Sequence, residues 1–87
     1  MNHKHRKVLH GVFSHPIPSN IHLHEVETAL KDLGADLGHS SHGRVTATMN
    51  GHTASLHGAD HGLSKDEVTS VRRFLESCGF SAESFPA

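Results

Sequence analysis

The stretch "SSHGRVTATMNGHTASLHG", residues 40–58, decides the fold because it reads as two alternating strands around a tight turn. From Val45 to Met49 every second residue is apolar, as expected of a strand that buries one face. Asn50 and Gly51 both tolerate the positive φ of a type I′ turn, which suits a two-residue hairpin connection. We therefore predict a β-hairpin that reverses at these two positions.

A reversal at positions 50 and 51 sets the pairing of the two strands. Val45 then lies opposite Leu56 on the apolar face, and Arg44 lies opposite His57 on the polar face. The Cβ atoms of directly opposed residues are about 5 Å apart. A guanidinium that can bind phosphate is thus predicted beside an imidazole that can transfer a proton, with His42 near the same end. The alternative is a solvated polar face that carries no site.

Helical periodicity predicts two helices before the hairpin. The first helix spans 4–13 and ends at the prolines that follow. The second carries apolar residues from Val26 to Leu33 and ends at Gly34. Residues 35–39 are expected to form a short strand that joins the hairpin.

The last helix has the clearest start signal in the chain. Ser64 and Glu67 have the spacing of a capping box, and Gly79 ends the helix. The tail, residues 81–87, has no period and is expected to be loose. The predicted order is α-α-β-β-β-α in a single domain, residues 1–87. This is an α+β fold with a three-stranded antiparallel sheet and helices on one face.

Composition narrows the classes of protein that this chain can represent. Cys78 is the one cysteine among 87 residues, so no internal disulfide can form and a reducing compartment is expected. No apolar run approaches the roughly 18 residues that a membrane span needs, so we expect a soluble cytoplasmic protein. The eleven histidines are unusual, because their full protonation would change the formal charge from -1 to +10.

Positive side chains cluster at two places, although the net charge of -1 does not indicate a globally basic protein. Lys4, Arg6 and Lys7 lie near the start, and Arg72 and Arg73 lie in the last predicted helix. These groups could contact phosphates without regard to sequence. The alternative is a solvated helix surface that keeps the protein soluble.

Residues 24–80 carry several short motifs that resemble the HicA family of bacterial and archaeal toxins. The resemblance is strongest in the last helix and its end, and weaker in the opening helix and the third strand. The matching segments are Ser70–Leu75 with Cys78–Phe80, Glu25–Leu30 with Leu33-Gly34, and Ser55–His57 with the loop before Ser64.

This resemblance implies a fold like that of a double-stranded-RNA-binding domain (dsRBD), preceded here by an extra helix. It also implies metal-independent, cofactor-free cleavage of mRNA and a HicB-type antitoxin as protein partner. The family's catalytic Gly-Ser-His motif falls on His42-Gly43-Arg44, so Arg44 occupies the position of the catalytic histidine. We therefore expect Arg44, Arg72 and Arg73 to bind RNA phosphates. His57 or His42 is the candidate acid or base if cleavage is retained.

Two other functions stay open at this point. The first is a catalytically inactive HicA-like module that binds RNA or the antitoxin, which the arginine at position 44 favours. The second is a histidine-rich metal-binding protein. Its candidate ligand pairs are His3/His5, His22/His24, His39/His42 and His57/His61, although no cysteine pair accompanies them as in many structural zinc sites.

Overall fold

The computed structural model describes residues 3–18, 21–39, 44–57 and 62–86. The elements, in chain order, are α1 (His3–Val12), α2 (Leu23–Asp32), β1 (Asp36–His39), β2 (Arg44–Met49), β3 (His52–His57) and α3 (Lys65–Ser77), followed by a short 3₁₀ helix at Ala82–Ser84. The predicted α+β fold with the order α-α-β-β-β-α is therefore confirmed.

The hairpin reverses where the sequence predicts it. Asn50 has a φ of 53° and Gly51 a φ of 79°, and positive values at both positions are required by a type I′ turn. The strands pair without slippage, with Val45 opposite Leu56 and Arg44 opposite His57. The predicted register is therefore confirmed along the whole hairpin.

The strand β1 adds to the free side of β2, so that the antiparallel sheet has the order β1-β2-β3. One face of this sheet is buried beneath the helices. Val45, Ala47 and Leu56 on that face are each no more than 3 % exposed. They belong to a single core cluster with Val26 of α2 and Val71 of α3. Alternation along the strands leaves the opposite face, here called the open face, to polar residues.

The capping box at the start of α3 forms as predicted. The backbone N–H of Glu67 donates to the Ser64 hydroxyl at 3.2 Å, and the Ser64 N–H donates to the Glu67 carboxylate at 3.3 Å. Two of the N–H groups that the first helical turn leaves unpaired are thereby satisfied. The helix ends at Ser77, and Gly79 follows with a φ of 94°.

The chain after residue 80 differs from the expectation of a loose tail. Phe85 is 2 % exposed, and its ring lies 5.9 Å from that of Phe13 and 5.6 Å from that of Phe80. The His10 Nδ1–H donates to the Phe85 carbonyl oxygen at 2.9 Å. Residues 81–86 are therefore anchored beside α1 by Phe85, their one large apolar side chain. This contact also explains how α1, with only Leu9 and Val12 buried, is held in place.

Candidate nucleic-acid interface

The open face of the sheet is formed by alternate residues of all three strands. Arg44 and Thr48 of β2 are exposed on it, as are Thr53 and Ser55 of β3. The hydroxyls of Thr48 and Thr53, which are cross-strand neighbours, lie 3.4 Å apart. Hydroxyl groups donate and accept hydrogen bonds, so this face presents neutral polar groups that suit a polar ligand.

The two residues of the predicted site are brought together by the strand register. Arg44 and His57 are direct partners in the β2–β3 ladder, at the end of the hairpin away from the turn. Position 57 has the same alternation as Thr53 and Ser55, which places it on the open-face side of the register. His42, the second candidate acid or base, lies outside the described residues. The structure therefore shows Arg44 and His57 as cross-strand partners, and their roles in phosphate binding and proton transfer stay predictions.

The charges of the open face are separated along β2. The strand β1 contributes Asp36, which is exposed and pairs with Thr48 near the turn. Arg44 lies four residues away, which corresponds to about 13 Å along an extended strand. The two charged side chains Asp36 and Arg44 therefore lie toward opposite ends of β2 on the open face.

The two arginines of α3 lie on different sides of that helix, since consecutive helical residues are about 100° apart. The Arg72 guanidinium donates to His15 Nε2 at 2.9 Å, in the connection after α1. Arg73 is exposed and faces β3. Arg73 therefore lies beside the sheet, whereas Arg72 contacts the connection after α1, and the predicted binding of RNA phosphates by these two arginines stays a prediction.

The basic residues near the start lie on the helical side of the molecule. Lys4 and Lys7 line a cavity of about 380 Å³ between α1 and α2, together with Glu25. Arg6 donates to His3 Nδ1 at 3.1 Å within α1. Because α1 packs against helices that cover the opposite face of the sheet, these side chains do not extend the open face.

Several histidines have individual partners. His5 Nδ1 lies 2.8 Å from the Asp32 carboxylate and joins α1 to the end of α2. His39 Nε2 lies 2.7 Å from the Glu27 carboxylate and joins β1 to α2. The first contact spans 27 positions of the chain, and the second joins two consecutive elements. These two imidazoles therefore have a structural role, which the spacing of the histidines in the sequence does not predict.

The structure bears on the candidate metal-ligand pair His22/His24. His22 and His24 would share a face only in an extended segment, but α2 begins at Leu23, between them. Within residues 3–18, 21–39, 44–57 and 62–86, no three histidine, cysteine or acidic side chains are grouped so that they could hold an ion. The pairs that include His42 or His61 lie outside the described residues.

The surroundings of Cys78 indicate a structural role for this residue. It is half-buried at the end of α3, and its thiol donates to the Met49 carbonyl oxygen at 3.3 Å. Burial raises the pKa of the Cys78 thiol, which keeps it protonated at neutral pH. Because the thiolate is the nucleophilic form, this environment does not favour catalysis through Cys78.

The structure also contains a groove between β3 and α3, which is not among the predictions from the sequence. It is lined by residues 52–55 and, on α3, by Ser70, Arg73 and Ser77 with Phe74. The polar members on α3 are spaced i, i+3 and i+7, which is one face of a helix. That spacing is the sequence signal from which the α3 wall of the groove could be predicted.

Comparison of the chain with protein-family models, with curated proteins and with solved structures finds no match. None of the helices in the described part of the chain is long and apolar enough to cross a membrane. The function is therefore argued from the fold, the open face and the residues that it carries.

Proposed function

We propose that this protein is a HicA-like toxin of a type II toxin–antitoxin system that binds RNA on the open face of its sheet. The proposal rests on one observation above all, the direct pairing of Arg44 with His57 at the end of that face away from the turn. The order α2-β1-β2-β3-α3 supports it too, because the resemblance to the HicA family implies a dsRBD-like core with one helix before the sheet and one after it.

In this proposal Arg44 holds a phosphate of the RNA backbone. An arginine suits this role because its planar guanidinium can donate two parallel hydrogen bonds to phosphate oxygens and stays charged at all physiological pH values. The hydroxyls of Thr48, Thr53 and Ser55 then provide neutral partners for the ribose or for neighbouring phosphates. Binding is expected to depend on salt, since each contacted phosphate releases counterions.

Cleavage, where it occurs, proceeds without a metal. The 2′-hydroxyl oxygen of a ribose attacks the adjacent phosphorus, and the bond from phosphorus to the 5′-oxygen breaks. A base accepts the proton of the 2′-hydroxyl, and an acid gives a proton to the leaving 5′-oxygen. His57 is the first candidate for one of these roles and His42 the second, while Arg44 stabilises the charge on the phosphate.

The test is RNA binding and cleavage by the wild type, Arg44→Ala, His57→Ala and His42→Ala in buffer that contains EDTA. A matched control is Lys31→Ala, which removes an exposed charge at the end of α2. Arg44→Ala should weaken binding by about tenfold or more, as loss of a charge-assisted hydrogen bond predicts. It should also lower the slope of log affinity against log salt concentration by about 0.7–1.

For the nuclease, His57→Ala should abolish cleavage with little change in binding, and Lys31→Ala should change neither. A substrate that carries a 2′-deoxyribose at the cleaved position should resist the wild type. Equal binding and cleavage by all five proteins would remove the open face from consideration. Complete loss of wild-type cleavage in EDTA, restored by a divalent metal, would contradict the metal-independent mechanism.

The second candidate function is a module that binds RNA or the HicB-type antitoxin and does not cut. It is favoured by Arg44 itself, which stands where the family has its catalytic histidine. Expression in a bacterial host distinguishes the two functions. A toxin that cleaves mRNA arrests growth when it is produced in the cytoplasm, whereas a binding module does not. Rescue of growth by the product of a neighbouring HicB-like gene would establish the antitoxin partnership.

A further inference from the structure

A polar groove follows the outer edge of β3, on the side of that strand that does not pair with β2. Its walls are residues 52–55 and the face of α3 that carries Ser70, Arg73 and Ser77, and its volume is about 390 Å³. Because four successive strand residues line it, the groove runs along the backbone of β3. This position is distinct from the Arg44 end of the open face.

The backbone of β3 offers hydrogen-bonding groups to this groove. In a two-residue hairpin, Met49 and His52 exchange hydrogen bonds, and the pattern then alternates along the ladder. The N–H and C=O groups of Thr53 and Ser55 consequently point away from β2. In the part of the chain that the structure describes, these outward groups have no backbone partner. The edge therefore presents two donors and two acceptors in alternation.

This alternation fits the backbone of an extended peptide. A peptide strand supplies an acceptor for each outward N–H and a donor for each outward C=O, with the spacing of a β-ladder. A phosphodiester backbone supplies acceptors only, so it would leave both carbonyl groups without donors. The chemistry of the edge favours a polypeptide over a nucleic acid.

The charge of the groove selects among polypeptides. Arg73 is exposed on its wall, and none of the lining residues that the structure describes is acidic. A second copy of this chain that paired edge to edge would bring the same surface to both sides, including a second Arg73. Like charges at close range oppose that pairing, whereas a glutamate or aspartate side chain would complement the guanidinium.

We propose that the groove between β3 and α3 binds an extended acidic segment of a partner protein, which adds to the sheet as a fourth strand. The partner backbone pairs with Thr53 and Ser55, and a carboxylate of the segment contacts Arg73. This proposal does not depend on RNA binding at Arg44.

The probe is a dye-labelled heptapeptide of alternating valine and glutamate, titrated with the full-length protein and followed by fluorescence anisotropy. A matched peptide of alternating valine and lysine has the same β-propensity with the opposite charge. The first peptide should bind with saturation, and the second should bind at least tenfold more weakly. In ¹⁵N-labelled protein, the amide signals of Thr53 and Ser55 should shift and should exchange more slowly in the complex.

Two changes separate backbone pairing from general charge attraction. N-methylation of the peptide at alternate residues removes the N–H donors on one of its edges. Two such peptides are made, one methylated at the odd-numbered residues and one at the even-numbered residues. One of them should abolish binding to unaltered protein. Arg73→Glu should weaken the acidic peptide at least tenfold, whereas Lys65→Glu, which makes the same charge change at the start of α3, should leave binding within about twofold.

Several results would overturn the proposal. Absence of saturation up to about 1 mM protein would do so, because that affinity is too weak for a specific segment. Equal binding by Arg73→Glu, or by both N-methylated peptides, would exclude the groove as the site. Displacement of the peptide by a short RNA, with shifts at the Thr53 and Ser55 amides, would assign the groove to nucleic acid. Concentration-dependent dimerisation that protects these two amides would assign it to a second copy.

Discussion

The two faces of the sheet are made by the same strands, yet they carry different properties. On the face beneath the helices, Ala47 is fully buried and Val45 and Leu56 are nearly so. On the open face, Thr48, which directly follows Ala47, is exposed, and so is its cross-strand partner Thr53. A period-2 pattern therefore assigns stability to one face and leaves the other available to ligands.

The distribution of charge follows the same division. None of the buried side chains in the described segments is charged or polar. No described residue that could bind phosphate or a carboxylate is therefore buried. Changes that test function can be made on the open face and at the β3 edge without touching the core, which makes the comparison of the two faces experimentally accessible.

The largest contrast is expected between neighbouring residues of β3. Leu56→Ala should lower the free energy of unfolding by about 2–5 kcal/mol, because it removes buried methyl groups and leaves a cavity. Ser55→Ala, on the open face, should change it by no more than about 0.5 kcal/mol. Urea unfolding followed by circular dichroism measures both. A loss of 2 kcal/mol or more in Ser55→Ala would show that the open face contributes to the core.

The second largest change in stability is expected at the hairpin turn, because the turn determines which strand residues lie on which face of the sheet. Asn50→Ala should destabilise the protein about 1–2 kcal/mol more than Asn50→Gly, because alanine resists the positive φ at this position. Both variants lose the hydrogen bond from the Asn50 amide to the Cys78 carbonyl oxygen at 3.2 Å, so this contribution cancels in the comparison. Equal stability of the two variants would contradict the type I′ geometry in solution.

The hairpin could be predicted from the sequence because all its determinants are local. The turn residues and the period of two lie within a window of fourteen residues, Arg44–His57, and they give one register. The capping box at Ser64 is local in the same way. The pairing of Arg44 with His57 follows from the register alone, so this half of the candidate site could also be predicted.

The features that could not be predicted join residues that are distant in the chain. Phe85 has no periodic neighbours in the tail, and its ring partner Phe13 lies 72 positions earlier. The same holds for His5 with Asp32 and for Arg72 with His15, which are 27 and 57 positions apart and meet only through the packing of the helices. The groove at the β3 edge belongs to this class, because it exists only once α3 lies beside the strand.

A smaller effect tests the helix that covers the buried face. Ser64→Ala removes the hydroxyl that accepts the Glu67 N–H and should cost about 1 kcal/mol, the usual value for loss of such a cap. Ser77→Ala, at the exposed last position of α3, is the matched control and should change stability by less than about 0.5 kcal/mol. If both variants were equally stable by urea unfolding, the capping box would contribute nothing to the docking of α3.

The smallest effect is expected at the hydrogen bond between the Thr48 and Thr53 hydroxyls on the open face. Thr48→Val keeps the β-branched shape and removes only the hydroxyl. Because the contact is exposed and its oxygens are 3.4 Å apart, the free energy of unfolding should change by less than about 0.5 kcal/mol. RNA affinity should nevertheless fall if this hydroxyl contacts the ligand. Unchanged stability with weaker RNA binding would separate the two faces by function. Weaker stability with unchanged binding would mean that the threonines serve the fold.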